Sequence, residues 1–283
     1  MLLVGAVVIA VGMSLLIRHA MRTPGGKLTH DGGMRLVLWA GGVFPTALLF
    51  TLLVASLPAM RPEPLATEDL RIKVEGEQVW WRVITAPGPG QLVSANEVRL
   101  PVGRTVALEL AGGDVIHSFW IPGLAGKMDM IPGRINTLVV RATKPGRYRG
   151  VCTEFCGLSH ALMAFDVVAM EPAAFDRWRI DQRASAAPAA SAEPGARLFT
   201  QYGCQGCHAI RGLPGATSAI GPDLSRYGER ATLAAGILPM TTANTAAFIR
   251  HPEKTKPGVR MPAFGHMPEA DATTIATYLQ GLK

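Results

Sequence analysis

The 283-residue chain has only four cysteines, too few to staple a fold of this size, so their spacing matters more than their number. They stand in two close pairs, Cys152/Cys156 and Cys204/Cys207, a pattern of metal, thiol-redox or haem chemistry. There is no second CxxC, no His pair at zinc spacing and no βαβ pattern, which leaves a zinc module or a thioredoxin-like domain without support. No internal repeat is visible. The net charge is +7, yet no Lys/Arg cluster interleaves with aromatic residues, which argues against nucleic acid as a partner. Acidic residues are absent from positions 32–60.

Two apolar runs open the chain, residues 2–17 and residues 36–57. The second matches the roughly 20 residues a bilayer span needs. The first is short for a span at about 1.5 Å rise per residue, unless flanking arginines snorkel. A signal peptide carries its positive charge before the apolar run, whereas here Arg18 and Arg22 follow it. Arg18, His19, Arg22, Lys27 and His30 lie between the runs, and the positive-inside rule places them in the cytoplasm. Residues 1–60 are therefore expected to form a two-helix transmembrane hairpin in a bacterial inner membrane, with everything after it on the periplasmic side. Pro45 inside the second run predicts a kink.

Residues 61–64 read as a Pro-rich exit from the membrane. From about residue 70 short strand-like runs follow at 71–74, 80–84, 97–100, 105–110, 136–140 and 165–169, separated by Gly/Pro turns such as Pro122-Gly123, Pro132-Gly133 and Pro145-Gly146. This predicts a β-sandwich or barrel over 61–180. The Ala/Ser/Pro-rich stretch within 181–193 cannot build a core and reads as a linker. Residues 194–283 turn helical, beginning at Pro194-Gly195-Ala196-Arg197-Leu198-Phe199 and ending on an amphipathic helix over 271–282, with Ile275, Tyr278, Leu279 and Leu282 at helical spacing.

The densest chemistry is Val151-Cys-Thr-Glu-Phe-Cys-Gly-Leu-Ser-His-Ala-Leu-Met163, which holds two Cys, a His and a Met within twelve positions. Thiolate, thioether and imidazole together favour copper over magnesium or calcium. His117 precedes Ser118-Phe119-Trp120. A distant His joining a Cys…His…Met loop is the general plan of cupredoxin sites, and two thiolates can bridge two coppers. Taken alone, CxxxC is also a disulfide or thiol-redox pattern, and His117 or Met163 alone is more often a packing residue.

With these residues in view, the region from Gly76 to Met170 resembles subunit II of the haem–copper cytochrome c oxidases. The resemblance is carried by Asp114-Val-Ile-His-Ser-Phe-Trp, Gly126-Lys-Met-Asp-Met-Ile-Pro-Gly-Arg134 and the loop quoted above. It implies that Cys152 and Cys156 bridge both coppers of a CuA centre, that His117 and Met163 complete one copper, and that His160 and the Glu154 carbonyl complete the other. It also implies that the Glu154 carboxylate meets a magnesium ion where subunit I docks. The chain departs from the family in two places. Val79-Trp80-Trp81 has Val79 where the first aromatic of the family's run receives electrons from a soluble cytochrome. Near Leu38 it lacks the glutamate that feeds a proton channel.

Cys204-Gln-Gly-Cys207-His208 is a CxxCH match, in which two thiols add to the haem vinyl groups and the adjacent His faces the iron. Residues 194–283 resemble a small class I cytochrome c. Gly195 and Phe199 fall on its first helix and Tyr278 on its last. Gly221-Pro222-Asp223-Leu224 matches the loop whose proline carbonyl accepts from the ligand His. The second axial ligand implied is Met261, before Pro262, with Met240 and Met267 as rivals. His251 and His266 read as surface histidines.

The reading is thus a multidomain chain: a transmembrane hairpin, an all-β cupredoxin-like sandwich and an all-α cytochrome c domain. The function implied is transfer of electrons from an external donor, such as a soluble cytochrome or a bc complex, through haem c and the copper pair to a terminal oxidase. The small subunit of a copper-containing nitric oxide reductase is the alternative within electron transfer. A copper-delivery or thiol-redox assembly factor is the alternative outside it, and needs neither His160, Met163 nor a haem domain. The chain has no array of membrane histidines for an oxygen site of its own.

Overall fold

The computed structural model describes residues 2–22, 30–61, 70–88, 90–183 and 193–283. The chain divides into two compact units, Met1–Pro62 and Glu63–Lys283.

In the first unit, α1 spans Leu2–Arg22. A second helical stretch runs through α2 (His30–Leu36), a π-helical segment Val37–Val43 and α3 (Phe44–Ser56). The kink expected at Pro45 takes this widened form. Proline has no N–H and crowds the carbonyl one turn earlier. The helix relieves that by an i→i−5 pattern, in which Phe44 N–H donates to the Trp39 carbonyl. His30–Ser56, 27 residues long, is the one described helix long and apolar enough to cross a membrane, and Ile9–His19 is a shorter apolar helix. Lys27 of the basic loop and residues 62–64 of the membrane exit lie outside the described residues.

The second unit begins with a β-sandwich. Its strands are β1 (Leu70–Glu77), β2 (Trp80–Thr85), β3 (Leu92–Ala95), β4 (Glu97–Pro101), β5 (Val106–Gly112), β6 (His117–Trp120), β7 (Met128–Met130), β8 (Ile135–Val140), β9 (Gly146–Cys152) and β10 (Ala164–Met170). One sheet has the order β3-β2-β1-β5-β8 and the other β4-β10-β9-β6-β7. β1–β5 and β4–β10 pair in parallel and the other pairs are antiparallel, so the chain crosses between sheets as cupredoxin-like sandwiches do. β1 alternates buried and outward residues along its length, as a sheet with one face on a core requires. Between the sheets, Phe119 and Phe165 stack with centroids 4.3 Å apart, and Trp81 meets them edge-on at 5.5 and 5.1 Å. All three are fully buried. Aromatic pairs in these geometries add about 0.5–1.5 kcal/mol beyond area burial.

The six strands expected from sequence are present within three residues of their bounds, and β3, β6, β7 and β9 are additional. A helix, α4 (Pro172–Arg183), then packs Phe175 into the sandwich core. It occupies the first three residues of the expected linker, 181–183, so that boundary is corrected: Phe175 and Trp178 anchor the helix and carry it on past the sandwich. Residues 184–192 of the linker lie outside the described residues.

The helical part comprises α5 (Pro194–Gln201), α6 (Thr242–Arg250), the short α7 (Pro252–Thr255) and α8 (Glu269–Gly281). Its core holds Phe199, Ile210, Tyr227, Ile249, Ile275, Tyr278 and Leu279. α5 crosses α8 at Gly195, where an added Cβ would stand 2.3 Å from the Cβ of Tyr278, so the close crossing requires glycine there. The two parts are joined by polar contacts as well. Arg82 donates to the Ala219 carbonyl at 2.6 Å, Arg149 to that of Gly236 at 3.2 Å and Arg211 to that of Gln182 at 3.0 Å, while Thr232 donates to the Asp166 carboxylate at 3.1 Å.

Candidate functional site

β6 and β9 pair side by side through Phe119–Cys152, which sets His117, the first residue of β6, beside Cys152, the last of β9. The loop after β9 then folds back through a 3₁₀ turn at His160–Leu162 and delivers Met163 to the start of β10. The N–H of Cys152 donates to the Met163 carbonyl at 3.0 Å and closes the loop's two ends.

Six donor atoms converge. The Sγ atoms of Cys152 and Cys156 are 3.8 Å apart. Cys152 Sγ lies 4.0 Å from His117 Nδ1 and 3.2 Å from the Glu154 carbonyl oxygen. Cys156 Sγ lies 3.7 Å from both His160 Nδ1 and Met163 Sδ. A disulfide would bring the sulfurs to about 2.05 Å, and both cysteines are free. Around a metal with sulfur bonds of about 2.3 Å, tetrahedral ligands sit about 3.8 Å from one another. The spacing accommodates ligands around a metal and equally the van der Waals contact of two sulfurs, and it is not that of a disulfide. His117, Cys152, Cys156 and Met163 are buried, and His160 is half-buried.

The electrostatics agree with a thiolate site. The hydrogen bond from Cys156, helped by His117, brings the Cys152 thiol down to about 3. The same bond and burial push Cys156 up, so that one proton stays on the pair. Despite its burial, His117 is held above its usual value by Cys152 and Asp114. Its Nε2 lies 3.0 Å from Asp114 Oδ1. That carboxylate also accepts from Gln78 N–H at 2.8 Å and Val115 N–H at 2.6 Å. Despite the cost of burial, these bonds keep Asp114 below the ordinary carboxylate range. Asp114 thus fixes the imidazole so that Nδ1 faces the sulfurs, as a carboxylate does behind a metal-binding histidine. The sequence placed Asp114 in a recognisable segment without giving it a role. The signal was its i, i+3 spacing to His117. The Glu154 side chain is exposed, and among the described residues no cluster of metal-ligand side chains includes it.

In the helical part, a left-handed Gly203 leads into the 3₁₀ turn Cys204–Gly206, which carries the CxxCH segment. His208 Nδ1 lies 2.8 Å from the Pro222 carbonyl. The Nδ1–H donates there and leaves Nε2 free. The loop is pinned by Gly221 N–H on the Cys207 carbonyl at 2.7 Å. A Cβ on Gly221 would stand 2.6 Å from His208 Cε1, so the loop reaches the ring only as glycine. Burial lowers His208 and raises the Cys204 thiol to about 11. A neutral imidazole with one nitrogen committed and the other open, beside two free thiols, suits a covalently held haem. Met261 and Met240 are partly buried against this core, whereas Met267 is within it at 1% exposure. His251 sits 3.4 Å from Glu253, and the His266 ring lies 6.3 Å from that of Tyr202.

Comparison with known proteins supports both halves. Residues 70–170 match the model of the cytochrome c oxidase subunit II periplasmic domain, and residues 192–283 that of cytochrome c. Cytochrome c oxidase subunit 2 of Alkalihalophilus pseudofirmus is 35% identical over 296 residues, covering 100% of this chain and 84% of that one. The subunit 2 of Bacillus sp. strain PS3 is 31% identical over 275 residues, covering 89% and 76%. The solved periplasmic domain of subunit II of cytochrome oxidase from Bradyrhizobium japonicum is 30% identical with a TM-score of 0.40, covering 42% of this chain and 97% of that one.

Proposed function

The chain belongs to the family of cytochrome c oxidase subunit II, and we propose that it carries electrons from an external donor to haem c, on to a two-copper CuA centre and then to the catalytic subunit for oxygen reduction. It is the electron-accepting subunit of a cytochrome c-fused oxidase, membrane-anchored with periplasmic domains. The observation that carries the finer reading is the convergence of the Cys152 and Cys156 sulfurs with His117 Nδ1, His160 Nδ1, Met163 Sδ and the Glu154 carbonyl. When bound, the haem and the copper pair each supply a one-electron store, and neither requires this chain to move a proton.

The protein's residues prepare that transfer. Cys152, Cys156, His117, Met163, His160 and the Glu154 carbonyl would hold the copper pair, which would supply a one-electron store there. Asp114 orients His117. Cys204 and Cys207 would attach the haem, and His208, its ring fixed by Pro222, and Met261 would hold its iron, where a thioether would raise the reduction potential. Exposed Phe155 and the Glu154 carboxylate, adjacent on the copper loop, face the catalytic subunit I, where Glu154 reaches a magnesium ion. α1 and the helix over residues 30–56 cross the bacterial inner membrane as a hairpin. The donor is a soluble cytochrome or a bc complex. A haem domain on the same chain acts at the mM effective concentrations typical of short tethers.

Metal and haem analysis of the full chain tests this, with two coppers per haem and a purple copper chromophore beside a c-type haem band as the expected result. One copper and no haem would overturn it.

A further inference from the structure

The loop that carries Met261 also lies on the copper domain. Lys256 is 2% exposed and its ammonium donates to the Val79 carbonyl. The Pro257 carbonyl accepts from Ser159 Oγ, next to His160, at 2.7 Å. A Cβ on Gly258 would be in van der Waals contact with Leu158 at 3.4 Å. Arg260 lies 3.4 Å from the side-chain oxygen of Gln78 and 3.0 Å from Asp114 Oδ2. Gln78 in turn donates to the Cys156 carbonyl at 2.8 Å. Residues 256–260 therefore touch the copper loop, the β1–β2 turn at Val79 and the carboxylate that orients His117.

We propose that Arg260 is a positioning residue that couples docking of the haem domain to the copper centre through Asp114 and His117. This deepens the function proposed above and rests on it. Asp114 has two oxygens with different tasks. Oδ1 holds His117, and Oδ2, which also accepts from Gln78 N–H, meets the Arg260 guanidinium that the haem domain brings. A cation there draws charge from the carboxylate and weakens its pull on the His117 N–H, so the imidazole becomes a poorer donor to copper. The same positive charge disfavours the oxidised copper pair directly. Both effects act in one direction: docking makes the copper pair the better electron acceptor at the moment the haem is closest to it. One electron is lost on the haem side and one gained on the copper side, while Arg260, Asp114 and His117 keep their protons. When the domain lifts, the guanidinium leaves and the copper pair reverts to holding its electron less tightly.

The Arg260 side chain is 60% exposed and that of Asp114 12%, so the effect has the size of a solvent-touched ion pair and is screened by salt. The test uses the full chain with haem and copper bound, reduced by one electron, with the partition between the haem band and the copper chromophore read optically. Arg260→Gln is expected to move the partition toward haem by about two- to five-fold and to abolish its dependence on salt, and Arg260→Lys to restore most of the shift. Both chromophores intact with an unchanged partition would overturn the coupling alone. So would an equal shift in the Arg260→Lys protein. Loss of either chromophore in the unaltered chain would instead overturn the function itself.

Discussion

The Lys256 ammonium of the haem domain is buried against the Val79 carbonyl of the copper domain. Val79 occupies the place where an aromatic residue was expected to receive electrons from a soluble cytochrome. That place is covered by the chain's own haem domain. Val79 itself is 3% exposed, inside the sandwich core.

Burial makes this contact sensitive to pH. It lowers Lys256 to about 7. In the open form the amine keeps its ordinary value, near 10.5. Between those values the docked form binds fewer protons, so docking tightens as pH rises through the window, by up to about tenfold per unit. Pulsed acetylation read by mass spectrometry reports opening, with exposed Lys254 as the internal reference. The Lys256/Lys254 modification ratio should fall from pH 7.5 to 9.5. A flat or rising ratio would count against it.

Asp114→Asn preserves the shape of the side chain and removes the charge that orders His117. Carboxylates behind metal-binding histidines are worth about 10- to 100-fold in metal affinity. Copper retention under chelator challenge should fall within that range while the haem band stays unchanged. Unaltered retention would show that the sandwich alone fixes His117.

Much of the donor set was legible because copper-type ligands crowd within twelve positions and CxxCH is contiguous. Of the strands found from sequence, β1 and β2 alternate clearly, and β5 and β10 are nearly continuous buried runs. β9 shows neither form, because Gly146-Arg147-Tyr148-Arg149-Gly150 interrupts its pattern and its place is set by pairing with β6 and β10. The role of Asp114 depends on where β6 begins, which no motif states. The docking loop was invisible for a stronger reason: Lys256 and Val79 are 177 positions apart, and Arg260 and Gln78 182. Neither pair shares a periodicity, and both arise only once two separate cores are packed together.

Gly221→Ala would drive a methyl into the His208 ring, 2.6 Å from Cε1. The ring or the Pro222 loop must move, breaking the 2.8 Å bond that commits Nδ1. Haem content should drop while the purple copper chromophore persists. Full haem content with an unshifted spectrum would mean that the loop yields without disturbing the ligand.

The three methionines separate by environment. Met261 is partly buried at the edge of the helical core, in the loop that reaches the copper domain, and Met240 lies 4.0 Å from the Thr245 hydroxyl. Met267 is 1% exposed, and its N–H is bonded to the Phe264 carbonyl at 2.9 Å. Removing an axial methionine lowers the haem potential, since thioether favours the reduced iron. Removing a buried packing methionine costs about 2–5 kcal/mol of stability and leaves the potential alone. Met261→Ala should therefore lower the potential and abolish the methionine–iron absorption band with little loss of stability. Met267→Ala should do the reverse, and Met240→Ala should leave the band in place. Persistence of the band in Met261→Ala, together with its loss in either of the others, would reassign the ligand. It would also detach the iron from the loop that bridges the two domains.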